Sequence, residues 1–294
     1  MTTPISGVWA PTLTPLTEAL NIDLKLLVDH CCELLASGCD GIVLFGSTGE
    51  APSFSVAERA VALEALIDGG VSAARIVVGT GCAAFPDTAE LSQHATEMGV
   101  SGVLVIPPYF FKGVSDGGVA RGYTALCEAI GADLRLYLYH FPALSMVPIT
   151  PSIIATIRAD FAENLIGLKD SSGQVSSLHG FTDIDDLTVL PGTERLMIEG
   201  ARHGATGVIT ATANIAPAVI QDVWQQRDGA SIDDSLMLSV RSIIEAGGTI
   251  PTMKSWLAHA KGHEGWNRVR PPLTTVNTAN GDTNRELSKL LSVE

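Results

Sequence analysis

Residues 165–173 read Leu-Ile-Gly-Leu-Lys-Asp-Ser-Ser-Gly, an apolar run that ends at one lysine and is followed at once by small polar residues. An apolar run closed by Asp, Ser and Gly is typical of a buried strand that ends in a loop. Lys169 is therefore predicted to stand where a core gives way to a cleft. Burial disfavours the charged ammonium form of lysine, and a neutral amine can attack a carbonyl carbon and form a Schiff base. A lysine after a strand is more often a solvated surface charge, so the rest of the chain must decide between the two interpretations.

The pattern of a short apolar run followed by a helix-like segment recurs along the chain. Eight runs begin about 20 to 34 residues apart, and this alternation predicts repeated β-α units. Eight units close naturally into a (β/α)8 TIM barrel, in which parallel strands are ringed by helices. An open doubly wound sheet is the rival fold, but the sequence lacks a G-x-G-x-x-G motif after the first run. The runs lie at residues 7–10, 41–45, 75–78, 102–106, 134–139, 165–168, 187–190 and 207–210.

The pattern changes near residue 230, after which only helix-like segments follow, with a last helix expected near residues 284–292. We therefore expect a catalytic barrel over residues 1–228 and a C-terminal helical extension over residues 229–294. Because no stretch rich in Pro, Gly or Ser separates the two parts, the extension is expected to pack on the barrel.

The composition limits the kinds of molecule that the protein is expected to bind. Of the 294 residues, 46% are hydrophobic and 17% charged, which is ample material for a core. The net charge of −14 argues against nucleic acid and anionic membranes, which require clustered lysine and arginine. A small acidic substrate stays possible, since a local group of donors can hold an anion inside an acidic protein. No apolar run approaches the length of a membrane span, and residues 1–6 have no signal-peptide pattern, so we expect a cytoplasmic protein.

Metals and disulfides are not expected either. The five cysteines are odd in number and lack paired C-x-x-C spacing. His259 and His263 have the i, i+4 spacing of two ligands on one helix face, but no third ligand is evident near them. We expect neither a metal nor any other cofactor.

Polar residues follow several of the predicted strands. The active site of a TIM barrel lies at the carboxyl ends of its strands, so these residues are expected to meet. They are Ser47 and Thr48 after the second strand, Tyr139 at the end of the fifth, Lys169 at the end of the sixth, Glu194 after the seventh and Thr210 at the end of the eighth.

Together these residue types suit one reaction. The turn at residues 46–49 offers backbone N–H groups and two hydroxyls that can grip a carboxylate. Tyr139 can pass protons to and from reacting oxygens. If Lys169 forms an imine with a 2-oxo acid, the protonated imine is an electron sink, and the neighbouring carbon–carbon bond can be made or broken through an enamine. This is aldol or retro-aldol chemistry without a cofactor. Considered alone, the turn can also be interpreted as an ordinary glycine turn, and Tyr139 as an aromatic residue of the core.

Three motifs in this order resemble the family of dihydrodipicolinate synthase and N-acetylneuraminate lyase, the Schiff-base pyruvate aldolases. The resemblance extends from Gly7 to about Leu273. The motifs are Gly-Ser-Thr-Gly-Glu at residues 46–50, Tyr139 followed by Pro142, and Gly-Leu-Lys-Asp at residues 167–170.

The resemblance implies a role for each matching residue. It makes Lys169 the imine lysine, Tyr139 the proton donor and acceptor, and Ser47 a member of the proton relay. It implies that Thr48 and the main chain of Ile209 hold the carboxylate and keto region of pyruvate. It also implies a homotetramer or homodimer, in which an aromatic side chain from a neighbouring subunit reaches the site.

Two positions depart from the synthase pattern. Leu144 stands where the synthases usually have an arginine for the carboxylate of the second substrate. Phe110 aligns with a tyrosine that, in the synthases, completes the proton relay across subunits. Tyr109 lies one position before it. Residues 142–145, Pro-Ala-Leu-Ser, are closer to the lyase pattern, and Ser171 is the expected contact for a sugar-acid tail. Lys112, Arg195 and Arg202 are candidate replacements for the missing arginine.

We therefore expect a class I lyase or aldolase that joins or separates pyruvate and an aldehyde. The expected substrate is a 2-oxo-3-deoxy sugar acid or a related hydroxy-oxo acid. The synthase that condenses pyruvate with aspartate semialdehyde is an alternative, as is a dehydratase that uses the same imine. A non-catalytic barrel that binds 2-oxo acids is the alternative from another class, since a fold does not fix a function.

Overall fold

The eight apolar runs form eight parallel strands in a computed structural model that describes residues 3–275 and 281–291. Neighbouring strands follow chain order from the first to the seventh, and the eighth pairs with the first. They are β1 (Gly7–Pro11), β2 (Gly41–Leu44), β3 (Ile76–Gly79), β4 (Gly102–Val105), β5 (Leu136–His140), β6 (Leu165–Asp170), β7 (Thr188–Pro191) and β8 (Gly207–Ile209). No strand ladder joins β7 to β8, but the Thr206 N–H donates to the Val189 carbonyl at 3.1 Å across that seam. The predicted (β/α)8 TIM barrel is confirmed as a nearly closed barrel.

Helices follow the strands and cover the outside of the barrel. They are α1 (Leu24–Ala36), α2 (Val56–Asp68), α3 (Phe85–Glu97), α4 (Asp116–Ile130), α5 (Pro142–Ser145), α6 (Pro151–Phe161), α7 (Val175–Thr182), α8 (Met197–Arg202) and α9 (Pro217–Gln225). Local sequence fixes where several of them begin. The Asp23 carboxylate accepts from the Leu26 N–H at 3.1 Å, and Ser55 and Glu58 form a reciprocal capping box at the start of α2.

The inside of the barrel is filled with side chains rather than open. Large rings from Trp9 and Tyr137 lie against glycines of neighbouring strands. A Cβ atom at Gly41 would lie 2.3 Å from the Trp9 ring, and one at Gly102 would lie 2.7 Å from the Tyr137 ring. The remaining inward side chains are apolar and include Val43, Val77, Leu104, Leu190 and Ile209. Glycine opposite a large ring therefore lets a narrow barrel hold an aromatic core.

In the described part of the chain, three α-helices follow the barrel: α10 (Ser235–Ala246), α11 (Thr249–Lys261) and α12 (Gly281–Leu290). Their apolar side chains share one cluster with residues near the ends of β1 and β8, among them Val240, Met253, Trp256, Leu13 and Ala211. The end of the predicted last helix, Ser292, lies outside the described residues. The division of the chain between residues 228 and 229 stays a prediction.

Within the described residues, none of the helices has the length and apolar character that crossing a membrane requires.

The packing of Trp9 against Gly41 predicts a stability difference between two chemically identical substitutions. Gly41→Ala places a methyl group on the Trp9 ring, and forced overpacking of a core costs about 1–3 kcal/mol. Gly180→Ala is the matched control, because Gly180 lies on the exposed side of α7 with open space around it. There the change should stabilise the helix by about 0.5–1 kcal/mol. Urea unfolding of both variants measures the difference, and equal effects would contradict the packing.

Candidate active site

Lys169 lies at the carboxyl end of β6 with its side chain inside the barrel. Its neighbours in register are Tyr139 on β5 and Leu190 on β7, both of which belong to the inner cluster. Leu168 points the other way, into the layer between strands and helices. Only 4% of Lys169 is exposed, and its Nζ lies 4.5 Å from the centre of the Tyr139 ring. The sequence-based expectation of a lysine at the boundary between core and cleft agrees with this position.

A serine in the turn after β2 and a tyrosine on β5 meet beside this lysine. The Tyr139 hydroxyl lies 3.2 Å from the Ser47 Oγ, although 92 positions separate the two residues. Tyr139 is buried, and its ring also contacts Phe141 at 5.7 Å between centroids. The hydrogen bond and the ring contact give the tyrosine one orientation, with its hydroxyl directed toward the turn after β2.

The turn after β2 is tightly folded. Phe45 has a φ of 56°, which is uncommon for a bulky residue. The Gly49 and Glu50 N–H groups donate to the Gly46 and Ser47 carbonyls, both at 3.1 Å. Across residues 3–275 and 281–291, no protein acceptor is found for the N–H groups of Ser47 and Thr48. Backbone donors left available at the edge of a cleft suit an anionic group.

An ion pair behind this turn connects it to the C-terminal helices. The Lys254 Nζ on α11 lies 2.6 Å from the Glu50 Oε1, and both side chains are almost fully buried. Burial lowers the pKa of the Lys254 ammonium, while the Glu50 carboxylate acts in the opposite direction. A buried pair of this kind fixes geometry, because each charge is costly without the other.

A cleft of about 570 Å³ opens above Lys169 at the carboxyl end of the barrel. Thr48 and Ile209 line it together with Ser47, Tyr139 and Lys169, so all five residues predicted for the site border one cavity. The other side of the cleft is polar and includes Ser171, Thr193, Arg195, Arg241, Glu245 and Thr249.

Two arginines and two glutamates form a network along that polar side. The Glu245 carboxylate accepts from the Arg241 Nε at 2.6 Å and from the Arg195 Nη2 at 2.9 Å. Burial alone would raise the pKa of the Glu245 carboxyl, but the two guanidinium groups outweigh it and lower that pKa. The network has two positive and two negative charges. It therefore presents hydrogen-bond donors and acceptors to the cleft rather than an excess of one charge.

Glu194 is the buried member of this network and does not line the cleft. Its buried carboxylate accepts hydrogen bonds from the hydroxyls of Thr210 and Thr212 and pairs with Arg241 at 3.2 Å. The expectation that Glu194 and Thr210 face the site therefore needs correction, because they bind each other. Their shared role is to orient Arg241, which the sequence reasoning missed. The i, i+4 pair of Arg241 and Glu245 was visible in the sequence, but nothing there related α10 to the strand ends.

A second cavity of about 160 Å³ lies on the other side of Tyr139 and Ser47. Tyr109 and Leu144 line it, whereas Phe110 is 72% exposed and turned outward. Tyr109 therefore borders the same cavity as Ser47 and Tyr139. Burial raises the pKa of the Tyr109 phenol. The alignment of Phe110 with a tyrosine that completes the relay across subunits stays a prediction.

Of the three candidate cations, only Arg195 reaches the larger cleft. The Lys112 Nζ donates to the main-chain carbonyls of Tyr109 and Ser145. Arg202 is exposed at the end of α8.

The parallel barrel thus brings a buried lysine, a tyrosine and a serine together at the carboxyl ends of its strands. The sequence profile of the dihydrodipicolinate synthetase family matches residues 4–292. The chain belongs to this family, whose members are lyases, and the predicted family is confirmed.

Three relatives illustrate the likeness. An uncharacterized DapA-like lyase of Chloroflexus aurantiacus is 34% identical over 258 residues, which are 85% of each chain. The crystal structure of dihydrodipicolinate synthase from Agrobacterium tumefaciens C58 has a TM-score of 0.89 and 29% identity, and covers 98% of this chain and 99% of that one. YagE of Escherichia coli K12, provisionally named a 2-dehydro-3-deoxy-D-gluconate aldolase, is 30% identical over 76% of each chain. The structure of YagE with pyruvate aligns with a TM-score of 0.88 and 24% identity, covering 99% of this chain and all of that one.

The buried pair between Glu50 and Lys254 predicts a large loss of stability in single variants. Lys254→Met leaves the Glu50 carboxylate buried without its partner, which should cost about 3–5 kcal/mol. The double variant Glu50→Gln with Lys254→Met removes both charges and should recover part of that loss. Denaturant unfolding measures both values. A double variant less stable than either single variant would contradict the pairing.

Proposed function

We propose that this chain forms a Schiff base between Lys169 and a 2-oxo acid and uses it to cleave or form a bond between pyruvate and an aldehyde. The observation that carries the proposal is a buried lysine amine 4.5 Å from the ring of a tyrosine whose hydroxyl contacts Ser47. A lysine amine can attack a carbonyl carbon and form a Schiff base. The cleft above it has room for a substrate larger than pyruvate.

The carboxylate of pyruvate is proposed to bind at the turn after β2. The N–H groups and hydroxyls of Ser47 and Thr48 supply several donors within one short segment. Ile209, across the barrel at the end of β8, is proposed to hold the keto region through its main chain. The pyruvate in the related YagE structure supports this class of ligand.

In the proposed reaction the Lys169 amine attacks the C2 carbonyl, and the carbinolamine loses water to give a protonated imine. Tyr139 takes the proton from the C4 hydroxyl of the substrate. The C3–C4 bond then breaks, its electron pair forms the enamine, and C4 leaves as an aldehyde. A proton returned to C3 gives the imine of pyruvate, which water hydrolyses to free the lysine. Ser47 is proposed to carry the proton between Tyr139 and the rest of the site.

The polar side of the cleft favours a hydroxylated aldehyde. Ser171, Thr193 and Thr249 offer hydroxyl groups, and Arg195 and Glu245 offer a donor and an acceptor. A chain of hydroxyl groups needs this mixture, because each hydroxyl both donates and accepts. We therefore propose a 2-oxo-3-deoxy sugar acid, or a related hydroxy-oxo acid, as the substrate.

The synthase reaction is the second candidate. Arg195 and Arg241 could hold the carboxylate of aspartate semialdehyde in place of the arginine replaced by Leu144, and the related Agrobacterium protein is a synthase. The paired state of both guanidinium groups favours the first candidate, since an anion would have to displace Glu245. A product screen separates the two. Pyruvate release from sugar acids supports the aldolase, and consumption of aspartate semialdehyde with pyruvate supports the synthase.

We also propose a homotetramer or homodimer, as in many members of the family. Exposed apolar side chains in the loop after β4 and around α5 support an interface there: Phe110, Phe111, Leu144 and Met146. Light scattering of the purified protein tests the oligomeric state.

Trapping with borohydride tests the imine directly. Pyruvate and borohydride should add the mass of a reduced pyruvate imine to the wild-type chain and none to Lys169→Ala. Lys289→Ala, which removes an exposed lysine on α12, should label like the wild type. A labelled Lys169→Ala variant would place the imine elsewhere, and an unlabelled wild type would support the non-catalytic alternative.

Removing the Tyr139 hydroxyl should separate imine formation from turnover. Tyr139→Phe keeps the ring over Lys169, so the adduct should still form slowly. Turnover should fall by about 10²–10⁴-fold, the usual contribution of general acid–base catalysis. Steady-state kinetics measure the loss, and unchanged turnover would contradict the proton-transfer role.

Replacing Arg195 should weaken the binding of the aldehyde portion of the substrate and leave the binding of pyruvate unchanged. Arg195→Gln removes a charged donor from the cleft and should raise the KM for the sugar acid by about tenfold, the effect of a charge-assisted hydrogen bond. Trapping of pyruvate alone should not change. Arg202→Gln is the control, because Arg202 is exposed outside the cleft. Weaker trapping of pyruvate in Arg195→Gln would place this residue in the pyruvate site instead.

A further inference from the structure

Two histidines and a glutamate meet on the outer surface of the barrel, away from the cleft. His179 lies on α7, Glu199 lies on α8, and His203 follows α8 directly. The His179 Nε2 lies 2.9 Å from the Glu199 Oε1, and the His203 Nδ1 lies 3.5 Å from the same oxygen. The two imidazole rings are stacked, with 3.5 Å between centroids.

These distances match the spacing of ligands around a tetrahedral metal ion. Two donors that each lie about 2.0 Å from zinc at a tetrahedral angle are separated by about 3.3 Å. The two nitrogen-to-oxygen distances, 2.9 and 3.5 Å, lie on either side of that value. The three ligand atoms are all within 4.8 Å of one another. An ion could therefore bind after small rotations of the side chains.

The chemistry of the three donors selects the kind of ion. Two imidazole nitrogens and one carboxylate oxygen suit zinc and related transition metals, whereas magnesium and calcium prefer sites made of oxygen alone. The three side chains are about 29–44% exposed, so solvent can reach the fourth coordination position.

We propose that His179, Glu199 and His203 bind one divalent transition metal ion, with zinc preferred over magnesium and calcium. The ion would link α7, which follows the strand of Lys169, to α8, which follows β7. None of its three ligands borders the catalytic cleft, so the site is separate from the proposed aldolase chemistry. Its role is to hold together two helices that pack behind the active-site strands.

Equilibrium binding of zinc tests the proposal. The full chain is prepared without an affinity tag, stripped with EDTA and titrated with zinc against a chromophoric chelator. We expect one zinc ion per chain, at least tenfold weaker binding in His203→Gln and in His179→Gln, and no competition from magnesium. Zinc should also raise the Tm of the wild type but leave the Tm of His203→Gln unchanged. The Tm of His203→Gln without zinc shows that the variant is folded, and the missing effect of zinc shows that it lacks the site.

Two variants exclude other ligands on the surface. His259→Gln removes an exposed histidine of α11, and Cys32→Ser removes an exposed thiol. Both should bind zinc like the wild type. The proposal is overturned if the wild type binds less than half an equivalent of zinc, or if His203→Gln and His179→Gln bind it as tightly as the wild type. It is also overturned if the loss of affinity occurs in Cys32→Ser instead.

Discussion

The alternation of side chains along β6 is the constraint on which the site depends. Leu168 enters the layer between the strands and the helices, so Lys169 must enter the barrel, because successive residues of a strand point to opposite faces. The parallel register then places Tyr139 beside it. A shift of one residue in this strand would move the amine into the outer apolar layer and remove it from the cleft. The proposed Schiff-base chemistry therefore depends on the same alternation of side chains that buries Leu168.

The C-terminal helices belong to the active site as much as to the scaffold. Lys254 on α11 holds Glu50, which ends the turn that carries Ser47 and Thr48. Arg241 and Glu245 on α10 form part of the wall opposite that turn. Residues beyond the barrel thus fix the turn proposed for pyruvate on one side and the groups proposed for the aldehyde on the other. A barrel without these helices would keep Lys169 but lose both supports.

The sequence predicted the parts of this molecule that depend on local patterns. Apolar runs, caps and glycine turns defined the barrel, and Lys169, Tyr139 and Ser47 were predicted for the site because each lies at or near the carboxyl end of a strand. Features that depend on distant segments were missed or misread. Glu194 looked accessible after β7, yet Thr210 and Thr212 bind its carboxylate. Tyr109 and Phe110 are adjacent, and only the path of the loop after β4 decides which one lines the smaller cavity. The meeting of His179 with Glu199 and His203 likewise depends on the packing of two helices, which a search for i, i+4 histidines does not detect.

The seam between β7 and β8 makes these two strands the edges of an otherwise continuous sheet. Ladders join β8 to β1 and each strand from β1 to β7 to the next, whereas β7 and β8 are not paired as a ladder. Lys169 and Tyr139 lie on β6 and β5, which are paired on both sides, while Thr193 and Arg195 follow β7 directly at the seam. Sequence changes after β7 therefore act next to a strand that has a ladder partner on one side only. The wall of the cleft that Thr193 and Arg195 form is thus held by the sheet less firmly than the lysine and the tyrosine.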